Sequence, residues 1–368
     1  MRRTTACLAT AIACGLSCGE APTQSAAPSA VHRDCAKPIA PRCTQLAVVT
    51  PREPMSASDG PEGALLIKDD GVFAFQHPAL LQRYEIQGLP PRLHATSNTL
   101  LDPPPSVTPI VTDGVDLFGV QLLYDGQGQR GVRAQFWNAS NALISDVTLP
   151  LSASLGYASF AAFQGLAIVR LDALSILDTT GAIVWTLPVS ALQASLLGAY
   201  GCGFIAEGGD YKAGVLTTIP LDGRPTLTQT SPPEISSYNG GPFAWPYDPH
   251  GVLFVTQPIP TDPNFDASAG CTTSIDVLFD DGRAPIHHEH HTMCGVSLGA
   301  LPSSLGAVVF VGDQVALLDA NADMLGGWLS TQGASLVPIG NYLVALGSVW
   351  SSETSSYSYA ETVIGCGP

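Results

Sequence analysis

A spaced pattern of glycine and aspartate recurs along this 368-residue chain and constrains its fold more than any other feature. In the clearest copy, Asp172 lies seven positions after Gly165 and Asp178 lies six positions after Asp172, with apolar runs between them. Two further copies keep this spacing, the second of them with glutamine at its third position: Gly306, Asp313 and Asp319, and Gly63, Asp70 and Gln76. Short apolar strands joined by Asp/Gly turns at a period of about 40 residues are typical of β-propeller blades.

Looser copies of the second turn extend the repeat along the chain. The turns fall at residues 76, 138, 178, 222, 280 and 319, and a seventh is expected near 358–361. We therefore predict an all-β propeller with seven blades, with six or eight as alternatives. Aspartate at such turns accepts hydrogen bonds from backbone N–H groups two residues on. We expect this capping role, rather than calcium binding or catalysis, for Asp70, Asp172, Asp178, Asp222, Asp280 and Asp319.

The ends of the ring and its connections can also be placed. Residues 44–50 form a strand expected to join the last blade, which would remove two open sheet edges. The Pro-rich stretch 88–109 indicates a rigid loop between blades, and 229–270 is the largest irregular insert. Aromatic side chains in this insert favour burial or ligand contact over disorder. They form the predicted partner-binding region: Tyr238, Phe243, Trp245 and Tyr247.

The first residues read as an export signal. Arg2 and Arg3 precede an apolar stretch at 6–16, and small residues lead to Cys18. This arrangement resembles a bacterial lipoprotein signal, which implies that Cys18, or alternatively Cys14, becomes the lipidated first residue. An ordinary secretory signal is the other interpretation. We expect membrane contact through the lipid anchor only.

The domain organisation follows from these boundaries. Residues 1–18 are predicted as signal peptide, 19–42 as a flexible tether rich in small residues, and 43–368 as the propeller. The formal net charge is −16, and the 15 Lys and Arg residues are scattered. Because phosphate neutralisation requires clustered positive charge, nucleic acid is excluded as a partner class.

Cysteine usage indicates an oxidising compartment. Three of the nine cysteines lie in the signal, and six remain for pairing. Cys271 and Cys294 flank two strands with a turn midway between them, so they should meet across a hairpin. Cys366 is expected to join Cys35 or Cys43, because a ring brings the chain ends together.

The run 287–291 holds half of the eight histidines. On a strand, His287, Glu289 and His291 share one face. Two imidazoles and a carboxylate there are a candidate site for zinc or copper. The alternative is a solvated, pH-sensitive surface strand without a metal.

One repeat resembles those of a known family. A strand ends in Leu177 and Asp178, a turn follows at Thr180 and Gly181, and a β-branched run ends at Trp185. This is similar to the repeat of quinoprotein-type (PQQ-like) propellers. That family includes pyrroloquinoline-quinone dehydrogenases, whose vicinal cysteine pair is missing here, and non-catalytic envelope lipoproteins that scaffold outer-membrane assembly.

These observations give two functional hypotheses. The first is a non-catalytic extracytoplasmic propeller, monomeric and anchored at the cell envelope or secreted, that binds a protein or glycan. The second is a metal-dependent hydrolase or lyase that uses the central cavity of the ring. No catalytic residue is assigned under the first hypothesis.

Overall fold

The computed structural model describes residues 31–37, 40–55, 64–69, 71–76, 79–102, 105, 110–125, 128–151, 160–188, 195–210, 213–230, 245–257, 270–294, 298–331, 335–351 and 356–368. Within these ranges, 28 strands form seven sheets of four antiparallel strands each. This confirms the predicted all-β propeller with seven blades. No α-helix occurs in the described ranges. Among the same residues, no helix has the length and apolar character needed to cross a bilayer.

The strands of each blade run from the centre of the ring outwards. Blade 1 contains β2 (Ala64–Lys68), β3 (Gly71–Gln76), β4 (Leu80–Gln87) and β5 (Arg92–Leu100). Blade 2 contains β6 (Ile110–Thr112), β7 (Leu117–Asp125), β8 (Gly128–Trp137) and β9 (Leu143–Pro150). Blade 3 contains β10 (Phe160–Phe163), β11 (Leu166–Arg170), β12 (Ala173–Asp178) and β13 (Ile183–Pro188). Blade 4 contains β14 (Ser195–Tyr200), β15 (Gly203–Asp210), β16 (Ala213–Pro220) and β17 (Leu227–Thr230).

The remaining three blades follow the same order. Blade 5 contains β18 (Trp245–Asp248), β19 (Gly251–Thr256), β20 (Cys271–Phe279) and β21 (Ile286–Thr292). Blade 6 contains β22 (Leu298–Ser303), β23 (Gly306–Val311), β24 (Gln314–Leu318) and β25 (Met324–Ser330). Blade 7 contains β26 (Ser335–Ile339), β27 (Tyr342–Ser351), β28 (Ser356–Cys366) and, as its outermost strand, β1 (Leu46–Pro54).

The ring is closed by the first strand of the chain. β1 pairs antiparallel with β28 along its whole length, from Leu46 opposite Cys366 to Pro54 opposite Ala360. The strand predicted at residues 44–50 is therefore the closing strand. Because β1 covers the edge of β28, the last blade reaches the same four strands as the others.

The continuous apolar runs in the sequence are explained by how the blades pack. Blades stack face to face, so an inner strand is buried on both faces and does not alternate. In β11, Leu166 and Ile168 pack towards blade 4, whereas Ala167 and Val169 pack towards blade 2. The described residues form seven hydrophobic clusters, one at each of the seven blade interfaces. The outer strands β9 and β21 are half-solvated and do alternate.

Two details of the predicted repeat are wrong. β2 and β3 pair with each other, with Lys68 opposite Gly71, so the copy that ends at Gln76 covers the first and second strands of its blade. The Gly165 copy instead covers the second and third strands. Residues 358–361 lie within β28, not in a turn. Gly63 and Asp70 themselves lie outside the described residues.

The stretch 88–109 is also not a loop throughout. Its first part is a turn with a cis peptide bond between Leu89 and Pro90. Residues Arg92–Leu100 then form β5, the outer strand of blade 1. Half of this strand is solvent-exposed, and its polar sequence gave no apolar signal for a strand.

Asx-type capping is confirmed at several of the predicted turns. Asp178 Oδ1 accepts hydrogen bonds from Thr180 N at 2.9 Å and Ala182 N at 3.2 Å. Asn138 and Asp319 accept equivalent bonds in blades 2 and 6. Asp280 departs from this prediction, since its side chain is fully buried and pairs with Arg224 of the neighbouring blade.

The two faces of the ring carry different connections. Because neighbouring strands are antiparallel, the turns after the first and third strands of each blade lie on one face, here called the turn face. These turns are short, for example 164–165 between β10 and β11 and 280–285 between β20 and β21. The strand ends for the other connections lie on the opposite face, here called the loop face. They include Thr230 and Trp245, and Thr256 and Cys271, and the sequence has 14 residues between the members of each pair.

Residues 31–37 and 40–45, here called the strap, lie against the turn face. Disulfides hold them at both ends, Cys35 with Cys202 and Cys43 with Cys366. Backbone hydrogen bonds attach the strap to blades 4 and 6: Arg33 N to Leu221 O, Ala36 N to Gly201 O, and Arg42 N to Leu305 O. The structure thus places residues 31–42, apart from the undescribed 38 and 39, against the ring, although the sequence analysis assigned them to the tether.

The third disulfide joins Cys271 to Cys294 across the β20–β21 hairpin, as predicted from their spacing. The Cys43–Cys366 bridge is one of the two pairings left open for Cys366. Three disulfides among the described residues indicate an oxidising, extracytoplasmic environment.

The two predicted disulfides should differ in their contribution to stability. Cys43 and Cys366 are 323 residues apart, whereas Cys271 and Cys294 are 23 apart. In the chain-entropy description, the longer loop makes Cys43→Ser with Cys366→Ser cost about 2 kcal/mol more than Cys271→Ser with Cys294→Ser. Guanidinium unfolding of both double variants measures this difference. Equal midpoints for the two would show that the closing bridge stabilises the ring no more than the hairpin bridge does.

Candidate functional site

The candidate site lies on the turn face, where blades 4 and 5 meet the strap. Cys202 lies in the turn between β14 and β15, is buried, and is flanked by glycines. A Cβ on Gly201 would lie 2.6 Å from Asp248 O, and one on Gly203 would lie 2.1 Å from Ile219 O. Only glycine allows so close an approach of backbone, and this brings Cys202 against the first turn of blade 5.

A buried ion pair joins the third-strand turns of the two blades. Arg224 Nη1 and Nη2 each donate to a different oxygen of Asp280 at 2.9 Å, which is a bidentate arrangement. Arg224 Nε also donates to Asp222 Oδ2 at 2.8 Å. The Asp280 side chain has no solvent exposure, so Arg224 supplies the charge that compensates for its burial.

Tyr200 completes the environment of Asp280. Its hydroxyl donates a short hydrogen bond to Asp280 Oδ2 from the end of β14. Burial raises the pKa of the Tyr200 hydroxyl far above its usual value, and the nearby Asp280 carboxylate raises it further. The tyrosine therefore remains a neutral hydrogen-bond donor, and the site has no phenolate base.

His250 lies in the first turn of blade 5, between the ion pair and the disulfide. Its Nδ1 is 2.6 Å from Arg224 Nη2, 3.2 Å from Asp280 Oδ1 and 3.4 Å from Cys202 Sγ. Because a guanidinium can only donate, we assign Nδ1 as the acceptor and place the ring proton on Nε2. The Nδ1 lone pair thus points into the cluster.

Four potential ligand side chains meet here. One ligand atom from each of Cys35, Cys202, Asp222 and His250 lies within 4.8 Å of all the others, the only such group in the described ranges. Cys35 Sγ is 3.6 Å from Asp222 Oδ2. A groove of about 550 Å³ gives solvent access to Cys35 and Asp222. The side chains offer two sulfurs, one oxygen and one nitrogen, with both sulfurs joined in the disulfide.

Sequence reasoning missed this cluster. Its members come from the strap and from three turns in two blades, so no local spacing brings them together. Asp222 and Asp280 were interpreted as turn caps, and Asp222 does accept a bond from Arg224 N at 3.3 Å. Asp280 instead pairs with Arg224 and Tyr200, and the neighbouring Asp281 accepts the turn bond from Arg283 N at 3.2 Å.

The predicted metal residues lie elsewhere, on β21, the outermost strand of blade 5. His287, Glu289 and His291 are exposed and alternate with half-buried neighbours, as predicted for one strand face. His287 Nδ1 is 2.8 Å from Asp276 Oδ1, and His287 Nε2 is 3.6 Å from Glu289 Oε1. These residues are at the rim of the ring, so a metal here would not lie in the central cavity.

Two histidines of this strand have opposite pKa shifts. The hydrogen bond to Asp276 raises the pKa of His287 above its usual value. Burial lowers the pKa of His290, and the neighbouring His288 lowers it further. Because the folded-state pKa of His287 is raised, its stabilising contribution is present at low pH and is lost as pH rises through that pKa.

Of the predicted partner-binding aromatics, Tyr247 is the one whose side chain is described. It is half-buried and packs into the cluster between blades 5 and 6. Its hydroxyl donates to Asp319 O and accepts from Ala322 N, both at 2.5 Å. Burial raises the pKa of Tyr247 to about 12. Tyr238, Phe243 and the Trp245 side chain lie outside the described residues, as does Cys18.

Comparisons with known proteins add likenesses of the overall shape. No protein-family model and no curated protein matches the chain, so the resemblance to quinoprotein repeats has no support there. The structure of apo AztD from Citrobacter koseri is 12% identical with a TM-score of 0.44, and the match covers 87% of this chain and 97% of that one. A subtype N11 neuraminidase-like protein from a flat-faced bat influenza A virus is 12% identical with a TM-score of 0.35, covering 90% and 99%.

The WD40 domain of SCAP from fission yeast is 9% identical with a TM-score of 0.31, covering 88% of this chain and 74% of that one. At such identities, and with TM-scores below 0.5, these likenesses carry no information on ligands. The assignment of seven blades rests on the strand pairing described above.

Removing the guanidinium from the site should unfold the protein more easily. Arg224→Leu would leave Asp280 buried without its counter-charge, at an expected cost of about 3 to 5 kcal/mol in the free energy of unfolding. Arg283→Ala is the matched control, because this half-exposed arginine pairs with two partly exposed carboxylates, Asp248 and Asp281, and its loss should cost about 1 kcal/mol. Denaturant unfolding of both variants tests this. Similar losses would mean that Asp280 does not depend on Arg224.

Proposed function

We propose that this protein is a non-catalytic propeller that binds a protein or glycan at the cell envelope. It acts outside the cytoplasm as a monomer, attached through lipidated Cys18. The observation that carries the proposal is the difference between the two faces. The strap covers part of the turn face, where the described connections are short, whereas the strand ends on the loop face are joined in the sequence by the long segments 231–244 and 257–270. Long connections on a rigid scaffold are the usual place for binding residues.

We assign two aromatic residues of the insert to the loop face from their place in the chain. Tyr238 and Phe243 come between Thr230 and Trp245, which are the loop-face ends of β17 and β18. Aromatic side chains supply large contact areas at interfaces. Tyr247 packs between blades 5 and 6, so we assign the partner contact to Tyr238 and Phe243.

Substitution of the loop-face aromatics should remove partner binding without unfolding the ring. We expect Tyr238→Ala with Phe243→Ala to weaken retention by about tenfold or more, as for buried aromatic anchors. Val115→Ala, an exposed apolar change on the turn face, is the control. For protein partners, we measure how much of an envelope-protein extract is retained on the immobilised chain. For glycan partners, we measure how much of the chain is retained on a glycan array. Unchanged retention by the loop-face variant would exclude this surface.

A second candidate function is zinc or copper binding at the rim of blade 5. The observation that favours it is the contact between His287 and two carboxylates, Asp276 and Glu289. Asp276 occupies Nδ1, so Nε2 is the nitrogen available to a metal beside Glu289.

Metal analysis of the oxidised, untagged protein tests the rim site. Near-stoichiometric zinc or copper should be present after equilibration and dialysis, and should be lost when His287, Glu289 and His291 are all replaced by alanine. The matched control is His94→Ala, a histidine on β5 of blade 1, away from the rim strand of blade 5. Equal metal content in the triple variant and wild type would leave β21 as a solvated strand.

A further inference from the structure

The side chains around the Cys35–Cys202 disulfide bear on a second role for its two cysteines, as ligands of a metal. A tetrahedral zinc site with Zn–S distances near 2.3 Å and Zn–N or Zn–O distances near 2.0 Å has ligand–ligand edges of about 3.3 to 3.8 Å. Two edges of this size already exist, 3.4 Å from Cys202 Sγ to His250 Nδ1 and 3.6 Å from Cys35 Sγ to Asp222 Oδ2. The edge between the two sulfurs is different, because the disulfide bond holds Cys35 Sγ and Cys202 Sγ closer together than two ligands of one metal. This distance must lengthen before a metal binds.

The His250 nitrogen is already prepared as a ligand. Its Nδ1 lone pair faces the cluster, because Arg224 donates to it. A metal at this nitrogen would displace one guanidinium contact, while Arg224 keeps its bonds to Asp280 Oδ1 and Asp222. Asp222 retains unshared electron pairs on the oxygen that faces Cys35, since an ionised carboxylate accepts at about four positions.

The two cysteines differ in how firmly the fold holds them. Cys202 is buried in a glycine-flanked turn of blade 4, whereas Cys35 is half-buried on the strap. Separation of the sulfurs therefore requires movement of the strap and leaves the blades in place. The groove beside Cys35 and Asp222 gives both a reductant and an ion a route to the site.

We propose that Cys35, Cys202, Asp222 and His250 form a redox-gated site for a borderline divalent metal of the zinc type. While the disulfide is intact, the sulfurs are bonded to each other and the site does not bind metal. A dithiol reductant transfers two electrons and two protons to the bridge, giving two cysteine thiols and becoming a disulfide itself. Metal binding then releases the two thiol protons, and the ion is coordinated by both thiolates, by Asp222 and by His250.

This site is independent of the loop-face surface and of the rim strand. It has a different donor set from the rim, two sulfurs instead of two imidazoles, and it operates in the opposite redox state. Thiolate ligands select zinc and related soft ions over calcium and magnesium. Failure of this proposal would leave the proposed partner binding untouched, and the converse also holds.

Cobalt(II) is the probe that reports on this donor set, because thiolate ligation gives near-ultraviolet charge-transfer bands and tetrahedral geometry gives strong visible bands. The full mature protein is titrated with Co²⁺ before and after reduction by a phosphine. We expect one thiolate-bound cobalt per reduced chain and none in the oxidised chain. Asp222→Asn and His250→Gln should each weaken binding by about tenfold or more.

Two controls assign the signal to this site. Cys271→Ser with Cys294→Ser, and the triple alanine variant at His287, Glu289 and His291, should bind cobalt as the wild type does after reduction. A folded, reduced protein without charge-transfer bands would overturn the proposal. Loss of the bands in the Cys271 and Cys294 variant would also overturn it, because the thiolates would then come from the hairpin.

A second measurement tests the site while the other two bridges are allowed to form, because reduction of the folded protein opens them as well. The unfolded, reduced chain is refolded under oxidising conditions with and without zinc, and free thiols are alkylated and mapped by mass spectrometry. Zinc should leave Cys35 and Cys202 alkylated while the other four cysteines form their bridges. Complete formation of the Cys35–Cys202 bridge at saturating zinc would overturn the proposal even if the reduced protein does not stay folded.

Discussion

The pairing of β1 with β28 is the contact on which the rest of the ring depends. Each of the seven hydrophobic clusters needs a blade on both sides, so an incomplete blade 7 would expose the clusters it shares with blades 1 and 6. Polar contacts also join blade 7 to blade 1. The buried Glu361 accepts from Leu93 N at 3.0 Å and from Arg92 at 3.1 Å. Thr50 Oγ1 on the closing strand donates to Pro91 O at 2.8 Å.

The architecture could be predicted because blade packing leaves a local trace in the sequence. Strands such as β11 and β23 are buried on both faces, so they appear as continuous apolar runs between Gly and Asp turns. The same trace does not say which strand of a blade it marks, because similar apolar runs occur in first, second and third strands, for example in β2, β3 and β12. The copy that ends at Gln76 was therefore placed one strand out of phase. The polar β5 left no trace at all, since half of it faces solvent.

The candidate site could not be predicted in the same way, because it exists only once blades 4 and 5 are stacked. Cys35 and Cys202 are 167 residues apart, and nothing in the local sequence of either cysteine identifies the other as its partner. The signals that were present are modest: a cysteine between two glycines, and an arginine two residues after a turn aspartate. Local features were read correctly, including the hairpin disulfide and the exposed face of β21, because two-residue periodicity and hairpin symmetry act over short distances.

The position of β1 also has a consequence for the order of events during folding. The strand that closes the ring is the first to be synthesised, and its partner β28 is the last, so the seam joins residues at almost the greatest sequence separation in the chain. Such a topology has a high contact order, which slows folding, and the nearly complete ring has open edges until residue 366 is available. β1 must therefore remain unpaired while the intervening blades assemble, although the strap can already contact blades 4 and 6. Because an unpaired strand edge can pair with another chain, the ring is open to edge-to-edge association until its last strand is in place.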